Sequence, residues 1–342
     1  MRPSQTLSLL LWPLSAAYGG VVRLRSAMYR HDLLATRRLG GTVISVGNLT
    51  VGGTGKTPMV LWLAERLAAD GHRAAILTRG YRAKAQAGTG TQTMSDEAAL
   101  LQQRLGDRAQ LGVGKDRFAS GRALEQQGAD WFILDDGFQH LALARDANIV
   151  LVDAMDPFGG GRMLPAGSLR EPRGALGRAD IVVITRADHA PAVEAMLRRF
   201  TQAPIFYAHT ELESISRVPQ MSEQLPAVDL ARTQFLAFCG IGNPAAFFYD
   251  LRRWGLSVAG ERTFGDHHHY TPSDMKKLER RADAAGADAL ICTEKDVFNL
   301  RGTEETLLPL YACRIRLVLP QADAFWSAVL TAVQRNQAVV AR

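Results

Sequence analysis

The sequence predicts an α/β protein: a doubly wound parallel sheet, then a second, smaller α/β domain, with a membrane-associating helix at the N-terminus. Three observations carry that prediction. Short β-branched runs alternate with helical stretches as far as residue 208. A glycine-rich turn, Gly52-Gly53-Thr54-Gly55-Lys56-Thr57, joins the first such run to a helix. After a polar, Pro-containing stretch at 209–234, a second alternation begins. The expected division is therefore 1–38, an N-terminal membrane-associated segment; 39–208, a nucleotide-binding domain; 209–234, a linker; and 235–342, a smaller α/β domain ending in a helix.

At 342 residues, 47% hydrophobic and 22% charged, the chain has the composition of a globular protein of two modest domains. The net charge of +6 suits polyanions or an anionic membrane surface. No long basic run or series of stacking aromatics is present, which argues against nucleic acid. The three cysteines, Cys239, Cys292 and Cys313, are widely spaced and read as buried reduced thiols rather than a disulfide or zinc framework.

The elements follow in order. Thr6 to Val22 carries no charge and is followed by Arg23 and Arg25. A secretory signal does not suit a protein that uses nucleotide. A full membrane span is slightly too short and is interrupted by Pro13 and Gly19-Gly20. An interfacial segment puts Leu, Trp and Tyr into the bilayer while Arg23, Arg25, Arg30, Arg37 and Arg38 meet anionic head groups. A helix packed on the protein's own core is the competing reading.

Thr42 to Gly47 reads as a buried parallel strand. The helix after the glycine turn runs from about Pro58 to Ala69, with proline in its first turn. Arg73 to Thr78 is a second strand, and Gly80 to Thr93 a Gly/Ala/Thr-rich loop. Ser95 N-caps a helix opened by Asp96 and Glu97. Trp131 to Leu134 is a strand ending in Asp135-Asp136, and Ile149 to Val152 and Ile181 to Thr185 are further strands. In the second domain, strands are expected at 235–238, 257–259, 289–292 and 310–315. Helices are expected at 244–254 and 322–336, the last able to pack on either domain.

The chemistry starts at the glycine turn, which makes the fold P-loop NTPase-like. Glycines let backbone N–H groups point at phosphate oxygens, a lysine reaches the β/γ-phosphates, and a hydroxyl holds Mg²⁺. Val51, Gly52, Gly53, Thr54, Gly55, Lys56, Thr57 and Pro58 are thus the candidate nucleotide-binding residues. The GxxxxGK[ST] pattern departs at one position, where Thr50 replaces glycine. Asp135 and Asp136 sit where P-loop proteins place the carboxylate that orients Mg²⁺, so Thr57 and Asp135 are the candidate metal ligands. Gly137-Phe138-Gln139-His140 follows at the carboxyl end of the strand, where ligands bind in open α/β sheets.

Phosphoryl transfer to an alcohol also needs a base. Asp96 is the leading candidate, against a plain helix-start carboxylate. Arg117 is either a phosphate clamp or a solvated surface arginine. The loop from Leu164 to Pro172, with Arg170 and Glu171, either grips an anionic group or only connects elements. Of His267, His268 and His269, adjacent residues point different ways, so a single metal site is discounted and one histidine supporting a base across an interdomain cleft is preferred. Thr293-Glu294-Lys295-Asp296 follows an apolar strand and also faces a cleft in this reading. Ile184-Thr185-Arg186-Ala187-Asp188 stands where GTPases carry Asn-Lys-x-Asp, and its departures from that pattern make it poor evidence for GTP.

Together these motifs resemble the tetraacyldisaccharide 4′-kinases of lipid A biosynthesis. The matching segments are Val46-Gly47-Asn48-Leu49-Thr50 with the glycine turn, Thr78-Arg79-Gly80-Tyr81, Ser95-Asp96-Glu97, and Asp135-Asp136-Gly137-Phe138-Gln139-His140. They continue with Leu164-Pro165-Ala166-Gly167, Leu169-Arg170-Glu171-Pro172, Gly240-Ile241-Gly242-Asn243-Pro244, Phe264-Gly265-Asp266-His267-His268, and Thr293-Glu294-Lys295-Asp296. The resemblance implies ATP and Mg²⁺ as cofactors. It implies transfer of the γ-phosphate to the 4′-hydroxyl of a lipid A disaccharide 1-phosphate at the cytoplasmic face of the inner membrane. It implies Asp96 as base assisted by His267, and Asp135, Asp136, Gln139, His140, Arg117, Arg170 and Glu171 lining the site. Gly265 stands where proline is expected before Asp266, which leaves the loop's rigidity and the placement of His267 open, and the run of three histidines leaves the choice among them open. A P-loop metallochaperone and a peripheral membrane ATPase are the alternatives.

Overall fold

The computed structural model describes residues 10–80, 95–221, 223–230, 232–300, 302–304 and 306–340. The start of the apolar N-terminal stretch, Tyr81 and most of the expected loop at 80–93 lie outside the described residues. By contacts the chain forms two units. Of the described residues, one comprises 10–80, 104–209 and 317–340, the other those in 95–103 and 210–316.

Helix α1 spans Trp12–Arg30 without a break. Pro13 does not interrupt it, because in the first turn its missing N–H has no helical partner to lose. Gly19 is buried, and a Cβ there would stand 3.8 Å from Met163 Cγ, so the small residue admits the neighbouring loop. Ser15 Oγ donates to Met163 O at 3.1 Å and accepts from Ala166 N at 2.9 Å, and the Tyr18 hydroxyl donates to Arg170 O at 3.1 Å. Leu10, Trp12, Leu14, Val21 and Leu24 are exposed. The helix thus packs one face on its own protein and leaves apolar side chains on the rest. Among the described residues no helix is long and apolar enough to cross a membrane.

The first unit is built on β1 (Thr42–Asn48), α2 (Lys56–Ala69), β2 (Ala74–Thr78), the end of α3 (Asp96–Leu105), β3 (Ala109–Val113), α4 (Arg117–Gln126), β4 (Trp131–Asp135), β5 (Ala147–Asp153), β6 (Ile181–Thr185), α5 (Pro191–Leu197) and the start of β7 (Ile205–Arg217). The strand order is β3-β2-β4-β1-β5-β6-β7, every pair parallel. Helices cover the strands, so β1, β4 and β6 are buried on both faces and read as continuous apolar runs. Met59, Val60, Leu63 and Leu67 of α2 are fully buried, each contributing about 1.5–3 kcal/mol.

The second unit holds the start of α3, the rest of β7, β8 (Gln234–Cys239), α6 (Pro244–Arg253), β9 (Ser257–Thr263), α7 (Pro272–Ala285), β10 (Ala289–Thr293) and most of β11 (Leu310–Val318). Its sheet runs β7-β11-β10-β8-β9, with β11, β10, β8 and β9 mutually parallel. Cys239, Cys292 and Cys313 are buried and unbridged, and burial pushes all three thiols up.

These units differ from the linear division read in the sequence at three places. Residues 95–103 group with the second unit. The expected linker at 209–234 is strand as far as Arg217, and its half-exposed pattern hides it from an apolar-run criterion. The C-terminal helix, α8 (Ala322–Val340), groups with the first unit. There Phe325 packs edge-on against Trp62 and Phe206, at 5.4 Å from each, and Trp326 donates to Asp70 at 2.9 Å.

Candidate active site

In the first unit, β1 and β4 are neighbours with Val46 opposite Asp135. Their carboxyl ends therefore bring the glycine turn and the carboxylate pair to one edge of the sheet. Gly55 caps α2 in the left-handed conformation at φ 88°, a geometry that favours glycine. Gly47 admits Phe138, whose Cβ would lie 2.6 Å from a Cβ at that position.

Lys56 Nζ donates to Asn48 Oδ1 at 3.2 Å and lies 3.6 Å from Asp136 Oδ1. Arg170 Nη1 meets Asp136 Oδ2 at 2.6 Å and Gln139 Oε1 at 3.4 Å, while Gln139 Nε2 donates to Asn48 O at 2.9 Å. Burial works to raise the Asp136 carboxyl, but Lys56, Arg170 and Arg117 outweigh it and hold it below its ordinary range. Asp136 also sits at φ 50°, an uncommon conformation for a residue with a side chain. Thr78 Oγ1 donates to Asp135 Oδ2 at 3.2 Å.

Arg117 is 4% exposed, so the surface reading of this residue does not hold. It starts α4 and donates to the carbonyls of Asp135 at 2.8 Å and Asp136 at 3.4 Å. Burial holds its guanidinium below its usual range. Three buried polar atoms here have no hydrogen-bond partner: Thr54 Oγ1, Arg117 Nε and Asp136 Oδ1. Orphans clustered on a P-loop and its facing carboxylate are what a site prepared for a polyanion and a cation leaves behind. His140 is pushed down to about 4 by burial and by the charges of Arg117, Arg145 and Arg25, so it is neutral at pH 7.

Thr50 is buried and bridges the backbone of Leu169, and Asn48 Nδ2 donates to its hydroxyl at 3.4 Å. That pairing explains a threonine where the P-loop pattern has glycine. Val51 N donates to Ser168 O at 2.7 Å, so this N–H is taken up by the protein. Pro58 lies in the first turn of α2 and has no N–H to offer. Thr185 and Arg186 brace the turn: Thr185 Oγ1 donates to Thr54 O at 3.1 Å and Arg186 Nη2 to Gly53 O at 2.9 Å, with Asp153 paired to Arg186.

Glu171 is buried and engages Arg178 through both oxygens, at 2.8 and 3.0 Å, and Arg178 lies 4.4 Å over the Phe138 ring. Its partner is thus Arg178, the last residue of a short 3-10 helix, Arg173–Arg178. Glu171, Arg178 and Arg145 border a cavity of about 840 Å³ that Val22, Leu24 and Leu143 line with apolar surface. Desolvation first, and then the charge of Arg178, push Arg145 down to about 10.

In the second unit, β8, β9 and β10 are adjacent and parallel, and their carboxyl ends bring three loops together. His267, after β9, takes φ 58° and donates its N–H to Gly240 O at 2.9 Å. Its Nδ1 is hydrogen-bonded to Asp96 Oδ2 at 2.7 Å, and Asn299 Nδ2 donates to the same oxygen at 3.3 Å. Lys295 lies 3.0 Å from Glu97. Asp96 and His267 belong to the same unit, so the pair is not made across two domains as expected. Burial tends to raise the Asp96 carboxyl, but His267, Lys295 and Asn299 outweigh it and hold it low. The hydrogen bond to Asp96 raises His267. His268 is turned to Asp274 at 3.2 Å and stacks on Phe264, and His269 is exposed.

The model of the family "Tetraacyldisaccharide-1-P 4'-kinase" matches residues 7–334. The chain belongs to the tetraacyldisaccharide-1-P 4′-kinase family. The tetraacyldisaccharide 4′-kinase of Geobacter sulfurreducens is 43% identical, over 87% of this chain and 86% of that protein. The one from Pelobacter propionicus is 37% identical, over 97% and 94%. LpxK from Aquifex aeolicus, solved in its "apo" form in complex with ATP, superposes with a TM-score of 0.72 at 30% identity, covering 96% of this chain and 99% of that one. Membership identifies an ATP-dependent kinase of lipid A biosynthesis and removes the metallochaperone and bare ATPase readings. Among the described residues no group of three His, Cys, Asp or Glu could hold a metal ion.

Four features of this tetraacyldisaccharide 4′-kinase family member escaped the sequence reading as site residues: Asn48 beside Lys56, the Thr185-Arg186 brace, Asn299 on Asp96, and Arg145. The sequence did signal three of them: Asn48 in the lead-in to the glycine turn, Thr185-Arg186 at the Asn-Lys-x-Asp position, and the Thr-Glu-Lys-Asp run that leads to Asn299.

Proposed function

We propose that this chain transfers the γ-phosphate of ATP to the 4′-hydroxyl of a lipid A disaccharide 1-phosphate, with Asp96 as the base and His267 as its support. The observation that carries the reading is the Asp96–His267 hydrogen bond in a chain that also carries a P-loop. A carboxylate held ionised accepts the 4′-hydroxyl proton as the oxygen forms its bond to the γ-phosphorus and the bond to ADP breaks. His267 stabilises the ionised base before transfer and orients it throughout.

Lys56 and the N–H groups of the glycine turn hold the β- and γ-phosphates, and Arg117 and Arg170 meet the charge on the transferring group. Magnesium takes hard oxygen ligands and keeps several waters, using one or two carboxylates plus phosphates. Thr57 and Asp135 supply oxygens of that kind, and Asp136 Oδ1, which faces Lys56 at 3.6 Å without a hydrogen bond, is a further one. When bound, the ion neutralises phosphate charge. The exposed apolar side chains of α1 and the cavity bordered by Arg145, Glu171 and Arg178 suit a lipid with apolar chains and an anionic head. These features support work at the cytoplasmic face of the inner membrane, with α1 interfacial.

The test is phosphotransfer from γ-labelled ATP to tetraacyldisaccharide 1-phosphate. Label in the lipid, lost in Asp96→Ala with ATP binding retained, is expected. No label in the lipid while nucleotide binds normally sinks the reading.

A further inference from the structure

On the second unit, β9 and α7 border a depression of about 300 Å³ rimmed by Arg262, Lys277, Arg280 and Arg281, with Phe264 and Leu278 beneath. All four cations are exposed. Lys277 and Arg281 are four residues apart on α7 and Lys277 and Arg280 three apart, spacings at which like charges repel. Three carboxylates share the helix, Asp274 in the lining of the depression and Glu279 and Asp283 beside it, and none of the three forms an ion pair with these cations. Asp274 is occupied by the Thr271 hydroxyl at 2.7 Å and by His268 at 3.2 Å, and Glu279 accepts from Leu307 N at 2.6 Å. Among the described residues none of the four cations pairs with a carboxylate. Arg280 Nε donates to Lys276 O at 3.3 Å, and Arg262 lies 5.4 Å from the Phe264 ring centre. The array is held in place by the capping box of Thr271 and Asp274 at the start of α7 and by Leu278, which is 1% exposed.

We propose that this depression binds the phosphate head groups of anionic phospholipids, giving the second unit a bilayer contact of its own. Clusters of four or more Lys and Arg on an amphipathic helix are the footprint of an anionic lipid surface. With exposed Lys276, α7 carries four positive charges, and Arg262 of β9 makes a fifth. The Phe264 ring is already engaged by Arg262 and by His268, which stacks on it at 4.7 Å, so no free ring is offered to a nucleic-acid base. The inference rests on the lipid-kinase reading for its choice of a bilayer over a soluble polyanion.

The experiment is cosedimentation of the full chain with phosphatidylglycerol-containing and with pure phosphatidylcholine vesicles, comparing wild type with Lys277→Ala/Arg281→Ala. Each lost charge costs roughly fivefold in affinity for the anionic vesicles, and the pair about thirtyfold. Affinity for neutral vesicles, and kcat and KM for the lipid acceptor in neutral detergent, stay at wild-type values. Arg262→Gln, on the strand side of the depression, loses about fivefold by itself. Unchanged partitioning of these variants overturns the proposal. So does a raised KM in neutral detergent, which assigns the cations to the acceptor's phosphate. Wild-type protein that phosphorylates the lipid but binds no better than the variants overturns this inference alone. Wild-type protein that fails to phosphorylate, with the charge dependence intact, overturns only the kinase reading.

Discussion

His267 Nδ1 lies 2.7 Å from Asp96 Oδ2, joining residues 171 positions apart in sequence. Asn299 completes a second hydrogen bond to the same oxygen at 3.3 Å. A base needs its proton-accepting oxygen fixed and ionised, and both contacts serve that end. Asp96→Asn keeps the volume and both neighbours but cannot accept a proton. It is expected to lower kcat by about 10²–10⁴-fold with the ATP dissociation constant unchanged. Parallel loss of ATP affinity, by calorimetry, would instead make Asp96 a nucleotide-positioning residue.

The same pair sets a pH dependence. Asp96 is held below its ordinary value of 3.8, so its contribution to stability is present above that value and lost as pH falls through the depressed one. His267 is raised above 6.5, so its contribution is present below 6.5 and lost as pH rises through the higher value. The ion pair is therefore complete between the two shifted values. In His267→Gln the burial that tends to raise Asp96 loses its principal opponent and is opposed by Lys295 and Asn299 without the imidazolium. The acid limb of the kcat profile is expected to move to higher pH, and an unmoved limb would show that His267 does not tune the base.

Thr185 tests the brace behind the P-loop. Its hydroxyl donates to Thr54 O at 3.1 Å, and valine would keep the shape and lose the bond. One such hydrogen bond is worth about 1 kcal/mol, or roughly fivefold. Thr185→Val is expected to raise KM for ATP by that factor and leave KM for the lipid alone. An effect on the lipid KM only would disconnect Thr185 from the nucleotide.

Glu171 reads differently after its contacts are known. Its carboxylate is spent on Arg178, so Glu171→Gln should lower stability by about 1–3 kcal/mol, through a partly exposed Arg178 left without its charge partner. Thermal or urea unfolding reads this directly. Wild-type stability with abolished turnover would return Glu171 to the chemistry.

What could be read in the sequence was local. The glycine turn, the Asp135-Asp136 strand end and the Ser95 cap are each written within a few residues, and each stands where the spacing put it. Elements whose residues are only half-buried were not legible. β3, Ala-Gln-Leu-Gly-Val, carries little β-branched content, and the outer half of β7 is polar on its exposed side. Pro13 was misread because a proline's effect depends on whether it falls in the first turn or later, and the helix start was not fixed by the sequence. The choice of His267 over His268 and His269 depends on a left-handed residue and on contacts from α3. Arg117 shows the same limit: charged residues are rarely buried, and only the carbonyls of Asp135 and Asp136 reveal why this one is.

Asp296 carries the remaining prediction. It is 1% exposed and accepts from Tyr270 Oη at 2.7 Å, Gly240 N at 2.8 Å and Thr293 Oγ1 at 2.6 Å. Burial raises its carboxyl even so, which marks the cost of keeping it there. Gly240 in turn accepts the His267 N–H, so Asp296 ties the loop after β8 to the residue that holds Asp96. Asp296→Asn puts a donor amide where the wild type accepts from four donors, Thr293 N being the fourth at 3.3 Å, and at least one contact must be lost. The expected result is a lower kcat with ATP affinity retained, and a pH profile shifted in the same sense as in His267→Gln, since a loosened His267 no longer lowers Asp96. Should Asp296→Asn lose stability while kcat and its acid limb stay at wild-type values, Asp296 serves the fold of the second unit and not the placement of His267.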